Sequence, residues 1–183
     1  MPHTKYEVDG KRVKSVTTII GNHLGWGKHE LLAWTRKKCM NGEDSYKIMK
    51  SAGSIGTLAH KMIEEFIKTE MKPEKYIQDW DKNKKYLNNL SESETGQAEI
   101  CFHGFFEWLR SFEKDVVFMK TEDKLTSQKF KYGGTIDCVC AIDKTLYLID
   151  FKTSNNVYES HYIQVSAYWQ LWNENYPDKQ IKK

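Results

Sequence analysis

Residues 132 to 152 read Tyr-Gly-Gly-Thr-Ile-Asp-Cys-Val-Cys-Ala-Ile-Asp-Lys-Thr-Leu-Tyr-Leu-Ile-Asp-Phe-Lys, and no other stretch so narrows what the chain can fold into. Two β-rich runs flank Asp143-Lys144, the pattern of a tight hairpin. A two-residue loop there sets Ile142 opposite Thr145, Val139 opposite Leu148, and Asp137 opposite Asp150. Opposed residues share a face with Cβ atoms about 4.5–5.5 Å apart, and Lys152, two residues past Asp150, points the same way. The register thus gathers two carboxylates and an ammonium. The remaining hairpin positions are apolar on both faces, as in a sheet covered on both sides. Like charges set opposite each other are destabilising there, and a divalent cation removes the penalty. Hard carboxylate oxygens suit Mg²⁺ or Mn²⁺.

The rest of the chain must cover such a sheet. At 183 residues and 39% hydrophobic, the length fits one domain that needs no disulfide staples. Helical spacing predicts helices near 28–40, 43–51, 57–70 and 95–114, one starting at Pro73 with Ile77, Trp80 and Leu87, and one near 159–174. Gly53 and Gly56 read as punctuation before the 57–70 helix, and Ser91–Thr95 as a polar break. Tyr6–Val13 reads as two short strands around Asp9-Gly10, Ser15–Gly21 as a capped apolar turn, and Val116–Met119 and the segment before Tyr132 as strands. A helical elaboration over about 15–115 would precede a sheet core over about 116–183 in a single domain.

A net charge of +3 permits nucleic-acid binding without demonstrating it. No apolar run is long enough to cross a membrane, and no signal-peptide pattern opens the chain, so a cytoplasmic protein is expected. Cys39, Cys101, Cys138 and Cys140 form no CxxC pair and read as reduced core thiols. Trp26, Trp34, Tyr76 and Trp80 lie among lysines and are candidates for stacking on unpaired bases, though core packing explains them equally. His60 and Glu64, four apart on one helix face, are a weak signal until joined to the hairpin acids.

Taken in order, Gly56-Thr57-x-x-His60-x-x-x-Glu64, Gly133-Gly134-Thr-Ile-Asp137, Asp150-Phe-Lys152-Thr-Ser and Gln164-x-x-Ala167-Tyr168 resemble the RecB-like branch of the PD-(D/E)XK nucleases. Ser15-Val-Thr-Thr-Ile-Ile and Leu32-Ala-Trp34 look like members near the phage exonucleases and the mitochondrial genome maintenance exonuclease. The resemblance implies an α/β fold, a mixed central sheet flanked by helices, and a metal-dependent DNA exonuclease acting on single-stranded or free ends in repair or recombination. In a phage-encoded protein, the host cytoplasm would be its setting. It implies His60, Asp137, Asp150 and the carbonyl of Phe151 as ligands of one or two Mg²⁺ or Mn²⁺ ions, with Lys152 as the catalytic lysine. Gln164, Tyr168 and Thr153 would support the substrate side, Glu122 matches a recurrent acid, and Glu64 would stand behind the ligands. With no cysteine after Cys140, the iron–sulfur cluster of some relatives is not expected. A structure-specific endonuclease, or a nucleic-acid-binding module that does not cleave, is the alternative. Oligomeric state is not legible.

Overall fold

The computed structural model describes residues 4–25, 27–69, 76 and 90–182. They divide into a sheet unit (1–37, 117–150 and 154–183) and a helical unit (38–116 and 151–153). The sheet unit opens with β1 (Tyr6–Val8) and β2 (Lys11–Ser15), antiparallel about Asp9 and Gly10. Both turn residues have positive φ, 51° and 70°, as a two-residue turn that follows the strand twist demands. Ser15 ends β2 and its hydroxyl accepts from the Thr18 backbone N–H, capping α1 (Val16–Thr18), which runs into a π-helical turn over Ile19–His23.

The strands β3 (Val116–Ser127), β4 (Tyr132–Ile142) and β5 (Thr145–Ile149) complete a mixed five-stranded sheet. Its order is β1-β2-β4-β3, with β5 also on β4. β2 runs parallel to β4 at Lys14↔Tyr132 and Ser15↔Gly133, and β5 runs antiparallel to it. The expected hairpin register is observed from Ile142↔Thr145 to Cys138↔Ile149, with Asp143 and Lys144 at φ 51° and 64° in the turn. The expectation of two covered faces holds for β4 but not for β5, where Tyr147 is 43% exposed and Thr145 faces water. Among the described residues β5 pairs with β4 alone, so it lacks the second neighbour that buries a central strand.

Helix α5 (Glu159–Asn175) packs Tyr168, Leu171 and Trp172 onto Ile136, Val139, Leu125, Val16 and Ile20. Ile136 and Val139 join one cluster although a regular strand would send them to opposite faces. The alternation therefore slips by one residue across Asp137-Cys138, as at a β-bulge. Gly134 makes the approach of α5 possible: a Cβ there would lie 2.6 Å from Cε1 of the buried Tyr168 ring. The chain beyond α5 is tied back by Trp172 Nε1 donating to the Lys179 carbonyl (2.7 Å) and Trp169 Nε1 to that of Ile181 (2.6 Å). Glu174 braces the β3–β4 turn, accepting from Ser127 Oγ (2.7 Å) and from the backbone N–H groups of Gln128 (2.7 Å) and Lys129 (3.2 Å).

α2 (Lys28–Met40) leads to the helical unit, which is built on α3 (Ser45–Thr69) and α4 (Glu92–Arg110). α3 corrects the expectation of two helices broken at Gly53 and Gly56. Each glycine costs a helix interior only about 1 kcal/mol, and the stripe of Ile55, Leu58, Ala59, Met62, Ile63 and Phe66 keeps its period through Gly56 into the buried face. Gly56 has a packing reason as well, since a Cβ there would sit 3.1 Å from Thr153 Oγ1. The polar break before α4 is a capping box: Ser91 Oγ accepts from the Glu94 N–H and Glu94 Oε2 from the Ser91 N–H. Phe66 meets Tyr76, Phe102, Phe105 and Phe106 edge-on at 4.9–6.3 Å, forming the centre of this unit. Tyr76, 1% exposed in that cluster, is core and not a base-stacking surface. The helix expected from Pro73, with Trp80, and the candidate Trp26 lie outside the described residues. Cys138 and Cys140 are buried free thiols as expected, whereas Cys39 is exposed at the end of α2.

Two stability measurements check this account. Gly134→Ala is expected to cost about 1–3 kcal/mol in urea unfolding, because the buried Tyr168 ring must move. Gly104→Ala, within α4 with no atom within 4 Å of the added Cβ, is expected to gain about 0.5–1 kcal/mol. The second measurement is pH dependence. Burial raises the Glu174 carboxyl, but its bonds from Ser127, Lys129 and Gln128 outweigh this and hold it below the usual glutamate range. A depressed carboxyl stabilises the fold above its unfolded value, and that stability is lost as pH falls through the folded one. The stability gap between wild type and Glu174→Gln should therefore be widest near neutrality and shrink below about pH 4.

Candidate metal centre

The acids of the sheet unit come from three elements. Glu122 lies in the middle of β3, Asp137 at the slip in β4, and Asp150 one residue beyond β5. All three are half-buried. One carboxylate oxygen of Glu122 lies within 4.8 Å of one from Asp137. Unit charges about 4 Å apart repel by about 1 kcal/mol in water and about 4 kcal/mol at the effective dielectric near a protein surface. Two half-buried carboxylates held so close form an oxygen-rich donor pair that fits a hard divalent cation.

The backbone makes this pairing at a cost. Glu122 has φ +48°, the left-handed region, in the middle of a strand. That conformation costs a residue with a Cβ about 1–2 kcal/mol. It persists where surrounding structure over-determines it, and such residues cluster at functional sites.

Asp150 is held differently. The β4–β5 ladder ends at Cys138↔Ile149, one step short of the expected Asp137↔Asp150 pair. Gln164 Nε2, on α5, donates to Asp150 Oδ1 (3.0 Å) and to the Tyr168 hydroxyl (3.1 Å), so one amide fixes both. Burial raises the Tyr168 pKa; the Gln164 bond opposes this, and the charges of Asp137 and Asp150 add to the rise. Tyr6 is likewise raised, by burial first and by Glu122 last, against a lowering bond to Thr135. Both phenols therefore keep their protons at neutral pH. Burial pushes Cys140 up to about 11 and Cys138 higher still, so both are protonated thiols at neutral pH.

The other expected residues sit in the helical unit. His60, on α3, meets the Phe151 ring edge-on at 6.1 Å, and Phe151 in turn meets Phe105 at 5.5 Å. Phe151 is thereby anchored by its ring, with Lys152 and Thr153 following it exposed. Glu64 ion-pairs with Lys68 one turn along α3. Tyr6 and Thr135 were not expected at all. Tyr6 OH and Thr135 Oγ1 are 2.7 Å apart. The signal for them was the Gly133-Gly134 dipeptide, since two glycines inside a strand mark a close approach.

A family model for the PD-(D/E)XK nuclease superfamily matches residues 32–182. The chain belongs to the PD-(D/E)XK nuclease superfamily. No curated protein matches it. The mixed sheet is thus that of a PD-(D/E)XK core, and the family implies a nuclease that acts on nucleic acid with divalent metal. No helix among the described residues is long and apolar enough to cross a membrane.

The strain at Glu122 yields a test. Glu122→Gly removes the left-handed penalty and one of two repelling charges, against a glycine entropy cost of about 0.5–1 kcal/mol. Metal-free protein carrying it is expected to match or exceed wild type in urea stability by up to about 1 kcal/mol. A clear loss would show that Glu122 braces the fold instead.

Proposed function

We propose that this PD-(D/E)XK protein is a metal-dependent DNA exonuclease of the RecB-like branch that works inward from single-stranded ends. The observation carrying the reading is the acid pair of the sheet unit, Glu122 and Asp137 with oxygens within 4.8 Å, and Asp150 held by Gln164. Asp137, Asp150, Glu122, His60 and the Phe151 carbonyl hold one or two Mg²⁺ or Mn²⁺ ions in this reading. When bound, the ion lowers the pKa of a coordinated water and offsets charge building on the scissile phosphate.

The remaining chemistry belongs to the chain's own groups. Lys152 supplies an ammonium to the phosphate oxygens as negative charge accumulates on them. Gln164 uses both amide protons, one on Asp150 and one on Tyr168, and so keeps the carboxylate turned toward its task. The Phe151 ring, held by His60 and Phe105, keeps its backbone carbonyl from wandering. Cleavage of this kind serves DNA repair, recombination or phage replication in the cytoplasm.

The test uses linear single-stranded DNA labelled at one end and then the other, incubated with Mn²⁺. Wild type is expected to release very short labelled products from one end only. Lys152→Ala is expected to cut at least about 100-fold more slowly while still binding DNA. Internal fragments, or cutting of a closed circle, would replace the exonuclease with an endonuclease. Intact DNA with salt-sensitive binding would leave a binding module.

A further inference from the structure

We propose that Tyr176 and Asp123 are positioning residues for Glu122, a role that rests on the metal-site reading above. One Glu122 oxygen lies within 4.8 Å of one from Asp137, from a backbone held at φ +48°. Such a conformation persists only where its surroundings over-determine it. On β3 those surroundings come from the end of α5. Asn175 Nδ2 donates to the Thr126 carbonyl (3.0 Å), and the Tyr176 hydroxyl donates to Asp123 Oδ2 (2.7 Å). With Glu174 on Ser127, three consecutive residues hold β3 at 127, 126 and 123. The Tyr176 bond is the one beside Glu122.

Tyr176 is a rigid anchor. Its backbone N–H donates to the Trp172 carbonyl (2.8 Å), and its ring centroid is 4.2 Å from that of Trp172. Trp172 is itself 1% exposed and tied through Nε1 to Lys179. The Tyr176 ring also carries the Lys120 ammonium, 5.7 Å from its centroid. Lys120 and Asp123 are three residues apart, and a regular strand would send them to opposite faces. One ring meets both because the left-handed residue between them turns the strand. The contacts thus bracket Glu122, two residues before it and one after, and hold the turn that aims its carboxylate. Without the Asp123 bond, Glu122 can relax toward the ordinary strand region, which swings its side chain away from Asp137.

The experiment titrates the full 183-residue chain into Mn²⁺ and reads the free ion by electron paramagnetic resonance, with urea stability measured in parallel. Tyr176→Phe keeps the ring on Trp172 and removes the donor; Asp123→Ala removes the acceptor; Asp123→Asn keeps an acceptor oxygen. The first two are expected to weaken Mn²⁺ binding about 10-fold, and Asp123→Asn to stay within about 2-fold of wild type. In a Glu122→Ala background, Tyr176→Phe is expected to change the affinity no further, since the carboxylate it positions is gone. Unchanged Mn²⁺ affinity in Tyr176→Phe and Asp123→Ala, whatever their stability, would overturn this inference alone. So would an equal further loss in the Glu122→Ala background, because the effect would then not run through Glu122. A wild type that binds no Mn²⁺ would overturn the metal-site reading and this inference with it.

Discussion

Carboxylates repel, and the sheet unit nonetheless holds Glu122 and Asp137 with oxygens inside one ion's reach. Much of the local structure follows from that constraint. β3 takes a left-handed backbone at Glu122, and β4 shifts its alternation by one residue across Asp137. β5 stops one residue before Asp150, leaving that carboxylate to a glutamine on α5. Each departure from regular strand geometry occurs at an acid. Regular pairing is kept where the sheet is apolar, from Cys138↔Ile149 to the Asp143-Lys144 turn.

The same logic explains why β4 carries two glycines. Gly133 admits the Tyr6 ring and Gly134 admits Tyr168, and each tyrosine ends in a hydroxyl bonded to a polar partner. Burial keeps both phenols protonated, so they stay hydrogen-bond donors near acids and add no negative charge of their own. The apolar body of each ring packs the sheet while its tip remains available to the polar end.

Much of this was legible in the sequence for a physical reason. A two-residue turn fixes register, and register fixes which residues face one another, so Asp143-Lys144 alone placed most of the hairpin. The helices at 28–40 and 159–174 were legible from period and charge. What was not legible depended on tertiary contact. The single helix α3 runs through Gly53 and Gly56 because its apolar stripe outweighs two glycine penalties. Tyr6 and Thr135, whose hydroxyls meet, lie 129 residues apart in sequence, and nothing local ties a tyrosine in a three-residue strand to a hydroxyl that distant. The resemblance named Glu122 as a recurrent acid, but its left-handed backbone leaves no trace in residue identity.

A bound metal is what would reconcile the acids of the sheet unit with one another. The most direct measurement is an anomalous-difference map from a crystal of the full-length protein soaked in Mn²⁺. The expected result is a peak bonded to oxygens of Asp137 and at least one of Glu122 and Asp150, at about 2 Å. Manganese bound elsewhere, or a map with no peak among these carboxylates in an otherwise ordered site, would contradict it.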